Sequence, residues 1–201
     1  MNLFLLRHGQ TQWNAEHKVM GRKDVPLDET GERQIQLIAP YFDAVHLDEI
    51  CSSPQLRALQ TAQAVALRKS QSVQMDPRLS ELDFRRWEGK VLDEIKDDPV
   101  YIQRREDPEN FHHAEVESFS QVRDRVMDWL SERESSDKSV LLVSHADPIR
   151  ILIHSLMGGK PDQLRQYRVF NCAVTALTNG SGFWELLVLN HRPGLDLSNS
   201  I

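Results

Sequence analysis

The chain has 201 residues, enough for one sizeable α/β domain with a real core. Its 24 basic and 30 acidic residues leave a net charge of -6 with no basic block, which argues against bulk nucleic-acid binding. The two cysteines, Cys51 and Cys172, stand in no metal-ligand or CxxC spacing and exclude a disulfide scaffold.

Residues 2–7 read as a buried first strand that delivers Arg7 and His8 to its carboxyl end. Its apolar run is too short for a signal peptide, and no later stretch reaches transmembrane length. A cytoplasmic protein with no membrane partner is therefore expected. Asp28 can cap a helix whose apolar face is Ile35, Ile38, Ala39 and Phe42, with Pro40 ending it early. Residues 47–52 predict a second strand. Ser53-Pro54 reads as a cap followed by proline at the first position of a helix carrying Leu56, Leu59, Ala62, Val65 and Ala66. A short third strand is expected at 72–75.

The stretch 79–118 is polar and broken by Pro99 and Pro108. It reads as an insertion with one or two short helices over the sheet edge, with its lid-like part at about 83–118. Phe119, Val122, Val126, Trp129 and Leu130 mark an amphipathic helix. Residues 140–144 form an apolar strand ending at His145. Asp147-Pro148 repeats the cap-plus-proline pattern before a buried helix at 149–157, which Gly158-Gly159 stops. Strands at 173–178 and 183–189, joined by a turn at 179–182, suggest a hairpin. The tail 193–201 reads as loose. The alternation predicts a three-layer α/β/α domain around a mostly parallel sheet.

Two strands end on histidine, His8 and His145. In a parallel sheet both imidazoles emerge at one edge, where open α/β sheets place their chemistry. Helix starts beside Arg57 and His145 aim backbone N–H groups at the same crevice. An imidazole can attack phosphorus while guanidinium groups hold phosphoryl oxygens. Each residue also has a plainer reading. His8 alone would pass for a core histidine, Arg57 for a solvated helix arginine, and Glu81 for a loop carboxylate. Arg150 reads as structural, paired with Asp147, and His154 and Trp87 as packing. His112-His113 tempts a metal reading, but adjacent histidines point apart and no carboxylate has matching spacing. Arg85, Arg86, Arg104 and Arg105 read mainly as solvated charge.

Leu6-Arg7-His8-Gly9-Gln10-Thr11-x-Trp13-Asn14 resembles the signature of the histidine phosphatase, or phosphoglycerate-mutase-like, superfamily. Four further blocks resemble it in the same order. They are Gly21-Arg22-x-Asp24-x-Pro26-Leu27 with Gly31, Ser52-Ser53-Pro54-x-x-Arg57-Ala58-x-Gln60-Thr61-Ala62, Leu79-x-Glu81 with Phe84 and Trp87-Glu88-Gly89, and Val143-Ser144-His145 with Ile149-Arg150. The resemblance implies that His8 is the phosphoryl-accepting nucleophile. Arg7, Arg57 and His145 would hold the equatorial oxygens. Asn14 and the Ala146 backbone N–H would add neutral donors, with Thr11, Gly21 and Arg22 completing the phosphate site. Glu81 would be the general acid, with a raised pKa. It implies no metal and no cofactor, since the arginines supply the positive charge. The partner would be a small phosphorylated metabolite such as a sugar phosphate, a phosphoglycerate or ribazole phosphate.

The chain departs from the family pattern at four places: Arg85 follows Phe84, Asp147 follows Ala146, residues 114–118 lack glycine, and Gln10 replaces glutamate. The Arg/Pro-rich insertion of the mutases is missing, which favours a phosphatase over phosphoglycerate-mutase-type transfer. A non-catalytic phospho-ligand binding protein is the rival from another class, and the full set of expected side chains argues against it.

Overall fold

The apolar run at residues 3–6 lies mid-sheet, where both faces of a strand are covered. A computed structural model describes residues 1–134, 137–159, 164 and 167–194. Among these, one sheet contains β1 (Asn2–Arg7), β2 (Glu49–Ser52), β3 (Gln74–Met75), β4 (Ser139–Ser144), β5 (Val174–Thr178) and β6 (Glu185–His191). Their order is β3-β2-β4-β1-β5-β6. β1 to β4 run parallel, β5 is antiparallel to β1, and β6 is antiparallel to β5. Arg7 pairs opposite Ser144, so the next residues, His8 and His145, leave the same edge together.

The described α-helices are α1 (Gln12–Ala15), α2 (Glu29–Ile38), α3 (Leu56–Lys69), α4 (Leu92–Ile95), α5 (Pro99–Glu106), α6 (Phe119–Ser131) and α7 (Ala146–Leu156). Side chains alternate across a strand and sort the core into two faces. Leu3, Leu5, Val140 and Leu142 pack with Val122 and Trp129 of α6 and Ile149 of α7. Leu6, Leu141 and Val143 pack with Ile38 of α2 and Ala62 and Val65 of α3. The result is the expected α/β/α layering. Cys51 and Cys172 are buried free thiols whose pKa values burial pushes up to about 11 and about 12.

Several local expectations change. Asp28 caps α2 by accepting from the Gly31 N–H at 2.8 Å. The α-helix stops at Ile38, and a 3-10 segment at Ala39–Ala44 carries Pro40 in its first turn. The third strand shrinks to two residues. The insertion contributes to the core. Its Trp87, Ile95, Phe111 and Val116 are buried in the same cluster as Leu3 and Leu5, so it packs on the α6–α7 face. Trp87 also donates from Nε1 to Asp98 Oδ2 at 2.9 Å, tying the residues before α4 to the start of α5. Met157 caps α7, and Gly158 follows with a left-handed φ of 62°, as a helix stop requires. The tail from residue 195 lies outside the described residues.

One close approach positions the site. Gln10 donates its backbone N–H to Gln34 Oε1 and accepts from the Asp28 N–H. This brings α2 so near the exit of β1 that a Cβ on Gly31 would stand 2.1 Å from the Gln10 carbonyl oxygen. Only glycine fits there.

Candidate active site

His8 leaves β1 almost fully buried. Its Nδ1 lies 2.6 Å from the Gly9 carbonyl oxygen, which can only accept. The proton is therefore on Nδ1 and Nε2 is the unprotonated nitrogen. Arg57 Nε donates to that Nε2 at 3.3 Å. Burial, then the charges of Arg57 and Arg7, hold the imidazole well below its ordinary pKa. His8 is thus a neutral base with its reactive nitrogen set against a guanidinium.

Arg57 lies in the first turn of α3 with no solvent exposure. Its other nitrogens donate to the Lys23 and Gly21 carbonyls at 2.7 and 2.8 Å. Gly21 has a left-handed φ of 53°, which turns this carbonyl toward Arg57. Arg7 donates from Nη1 to the Val169 carbonyl at 2.7 Å, and its buried Nε has no partner among the described residues. Burial lowers both arginines to about 10, still charged at neutral pH.

His145 caps α7 from the end of β4, its ring centroid 5.1 Å from that of His8. Its Nε2 is 2.8 Å from Ser53 Oγ, and its buried Nδ1 has no partner among the described residues. Burial, followed by Arg57 and His8, holds its pKa well below the ordinary value. Ala146 opens α7, so its N–H belongs to the unpaired first turn.

Asn14 and Thr11 cap α1 reciprocally. Asn14 Oδ1 accepts from the Thr11 N–H and hydroxyl and from Asn171 Nδ2, which leaves its NH2 group to a ligand. Arg22 is exposed beside this group. It reaches the Glu81 carbonyl at 3.4 Å and Glu117 Oε2 at 3.3 Å.

Glu81 is buried beside this group, with Oε1 accepting from the Leu82 N–H at 2.9 Å. Burial and then the negative charge of Asp147 raise its pKa to about 7, while the Leu82 N–H, Arg57 and Arg7 pull the other way. A carboxyl half-protonated at neutral pH is suited to both giving and taking a proton.

Neither cap-plus-proline pattern caps its helix. α3 starts at Leu56 with Gln55 as N-cap, and Ser53 serves His145 instead. Asp147 sits inside the first turn of α7, where Arg150 and Arg104 claim its carboxylate; the Arg104 contact is 3.5 Å. Arg104 also stacks over Phe84 at 5.0 Å, so it is not merely solvated. Arg85 is exposed and paired with Asp83. His113 stacks on Phe111, and among the described residues no group of side chains forms a metal site. His154 packs between Phe119 and Tyr167. No helix among the described residues is long and apolar enough to cross a membrane.

Gln55 and Asn171 escaped the sequence reading. Asn171 donates to the His8 carbonyl at 2.9 Å, from a position no spacing rule connects to His8.

Residues 3–192 match the family model of the histidine phosphatase superfamily (branch 1). The chain belongs to this superfamily. Phosphoserine phosphatase 1 of Hydrogenobacter thermophilus is 32% identical over 162 residues, 79% of this chain and 77% of that protein. A protein named as a probable phosphoglycerate mutase from Cronobacter sakazakii is 30% identical over 188 residues, 92% of this chain and 87% of its own length. The crystal structure of the alpha-ribazole phosphatase from Shigella flexneri has a TM-score of 0.85 at 30% identity, covering 98% of this chain and 100% of that one. The names of these relatives point to different small phosphorylated molecules.

Proposed function

We propose that this histidine phosphatase hydrolyses a small phosphomonoester through phosphorylated His8. The observation that carries this reading is the unprotonated Nε2 of a neutral His8, which accepts from Arg57 Nε, with its tautomer held by the Gly9 carbonyl. The Nε2 lone pair attacks phosphorus and the ester P–O bond breaks. Arg7, Arg57, His145, Asn14 and the Ala146 N–H take up the charge on the oxygens. Glu81 gives its proton to the leaving alkoxide. Water then attacks phosphohistidine, loses a proton to Glu81, and the P–N bond breaks, which returns both groups to their starting states.

A cavity of about 320 Å³ between α5 and α7 is lined by Tyr101, Arg104, Phe119, Asp147 and Arg150, among others. Asp147, whose charge acts on Glu81, links this cavity to the proposed site, and the leaving group extends toward it. Residues 83–118 act as the lid-like part of the domain by supplying α5. Two buried cysteines with raised thiol pKa values suit a reducing, cytoplasmic setting.

Rapid-quench labelling with a radioactive phosphoester is expected to trap an acid-labile phosphoenzyme in the wild type and none in His8→Ala. Turnover of that variant should fall by about 10³-fold or more. A His8→Ala variant with full activity overturns the mechanism. The Cronobacter sakazakii relative's name favours examining a second reading, in which a bound alcohol rather than water takes the phosphoryl group. Release of inorganic phosphate, compared with transfer from a bisphosphorylated donor to phosphoglycerate, separates the two. Bound phosphate without turnover on a broad phosphoester panel would mark a binding protein.

A further inference from the structure

Gln55 is buried, 6% exposed, two residues before Arg57. Its amide is oriented by chemistry alone. The backbone N–H of Glu81, 2.9 Å away, needs an acceptor and fixes Oε1. The Gly21 carbonyl, 3.0 Å away, needs a donor and fixes Nε2. The same Gly21 carbonyl accepts from Arg57. One side chain therefore ties the backbone of Glu81 to the carbonyl that anchors Arg57.

The third contact decides a proton. Ser53 Oγ stands 2.8 Å from Gln55 Oε1 and 2.8 Å from His145 Nε2, and it has one hydrogen to give. The amide oxygen can only accept. If the hydroxyl turned to His145, two oxygen lone-pair sets would face each other at 2.8 Å with nothing between. Donation to Gln55 satisfies every group, and Ser53 then accepts from His145. Nε2 of His145 must carry the proton, which leaves Nδ1 of the neutral ring bare. That nitrogen is buried and has no partner among the described residues.

We propose that Gln55 is a positioning residue that fixes His145 in its Nε2–H form through Ser53, so that an oxyanion meeting Nδ1 must share a proton with it. The two site imidazoles are then opposite tautomers: His8 protonated on Nδ1, His145 on Nε2. Arg7 and His8 from the end of β1, Arg57 from α3 and Arg125 from α6 surround His145, with Glu81 and Asp147 in the same cluster. The cations discourage a second proton in the empty site, and an arriving phosphate reverses that balance.

Nitrogen-15 labelling of the histidines and two-bond proton–nitrogen spectra at pH 7.5 read the tautomer directly. This first measurement stands whether or not the enzyme is a phosphatase. His145, assigned by its absence in His145→Gln, should show the neutral Nε2–H pattern in the wild type. Gln55→Met, equal in bulk but without an acceptor, should shift it toward Nδ1–H. Gln55→Glu keeps an acceptor for Ser53 and should restore Nε2–H. Ser53→Ala should release the ring as Gln55→Met does. Inorganic phosphate should then turn His145 doubly protonated in the wild type and leave it neutral in Gln55→Met. A wild-type ring protonated on Nδ1, or one unmoved by both Gln55→Met and Ser53→Ala, overturns the proposal.

Discussion

Glu81 shows how one side chain is tuned by its surroundings. Burial is the largest influence on its pKa, and the Asp147 carboxylate is the second. In the proposed mechanism its acid form protonates the leaving group, so kcat on a simple alkyl phosphate should fall as pH rises through about 7. Asp147→Asn removes one of the two raising influences. The descending limb should then begin at lower pH, by up to about one unit. A pH series on both proteins checks this, and an unmoved limb would show that Asp147 does not act on Glu81. The sequence carried Asp147 as a departure from pattern, a helix cap and a partner for Arg150. Two arginines bracket it in space, one of them Arg104 from the insertion, and no local rule brings that residue to α7. The same limit applies to Ser53. Its Ser-Pro setting is a capping signal, but the buried His145 nitrogen 92 positions away is the stronger claimant on its hydroxyl.

At the level of elements, what was legible followed from covering and periodicity. β1 and β4 are apolar on both faces, which made their extents readable almost to the residue and placed His8 and His145 at one edge. α6 carried its stripe of five residues into the core unchanged. The insertion was less legible because its apolar residues are scattered. Trp87, Ile95, Phe111 and Val116 follow no helical or strand period, yet all four reach the core. The contact between α2 and the exit of β1 gives a test of how elements hold the nucleophile. Gly31→Ala would press a methyl into the Gln10 carbonyl and displace the segment whose Gly9 oxygen fixes the His8 tautomer. A stability loss of about 2–3 kcal/mol is expected in urea unfolding. Turnover should fall further than the lost folded fraction explains.

For the molecule as a whole, the site sets how stability responds to acid. Below the ordinary histidine value of 6.5, the unfolded chain takes protons at His8 and His145 that the folded chain refuses. That stability is complete above pH 6.5 and is lost as pH falls. Glu81 runs the other way: its folded pKa of about 7 exceeds its ordinary 4.5, so its contribution is complete below 4.5 and is lost as pH rises through 7. Between pH 4.5 and 6.5, two histidine protons oppose one from Glu81. Glu81→Gln should therefore steepen the acid loss by up to about 1.4 kcal/mol per pH unit. Denaturant titrations at pH 5 and 6.5 measure it, and an unchanged slope would mean Glu81 is not raised.

Every side chain that the proposed mechanism sets around the phosphate comes from the first 147 residues, yet Arg7 is anchored by the Val169 carbonyl, and His8 by Asn171. β1 itself lies open on one side until β5 pairs with it. A chain growing on the ribosome thus holds all of its chemistry long before it can use any of it. Nascent chains stalled with residue 160 just clear of the exit tunnel should be inert, and those stalled beyond 180 active, so that competence arrives late and all at once.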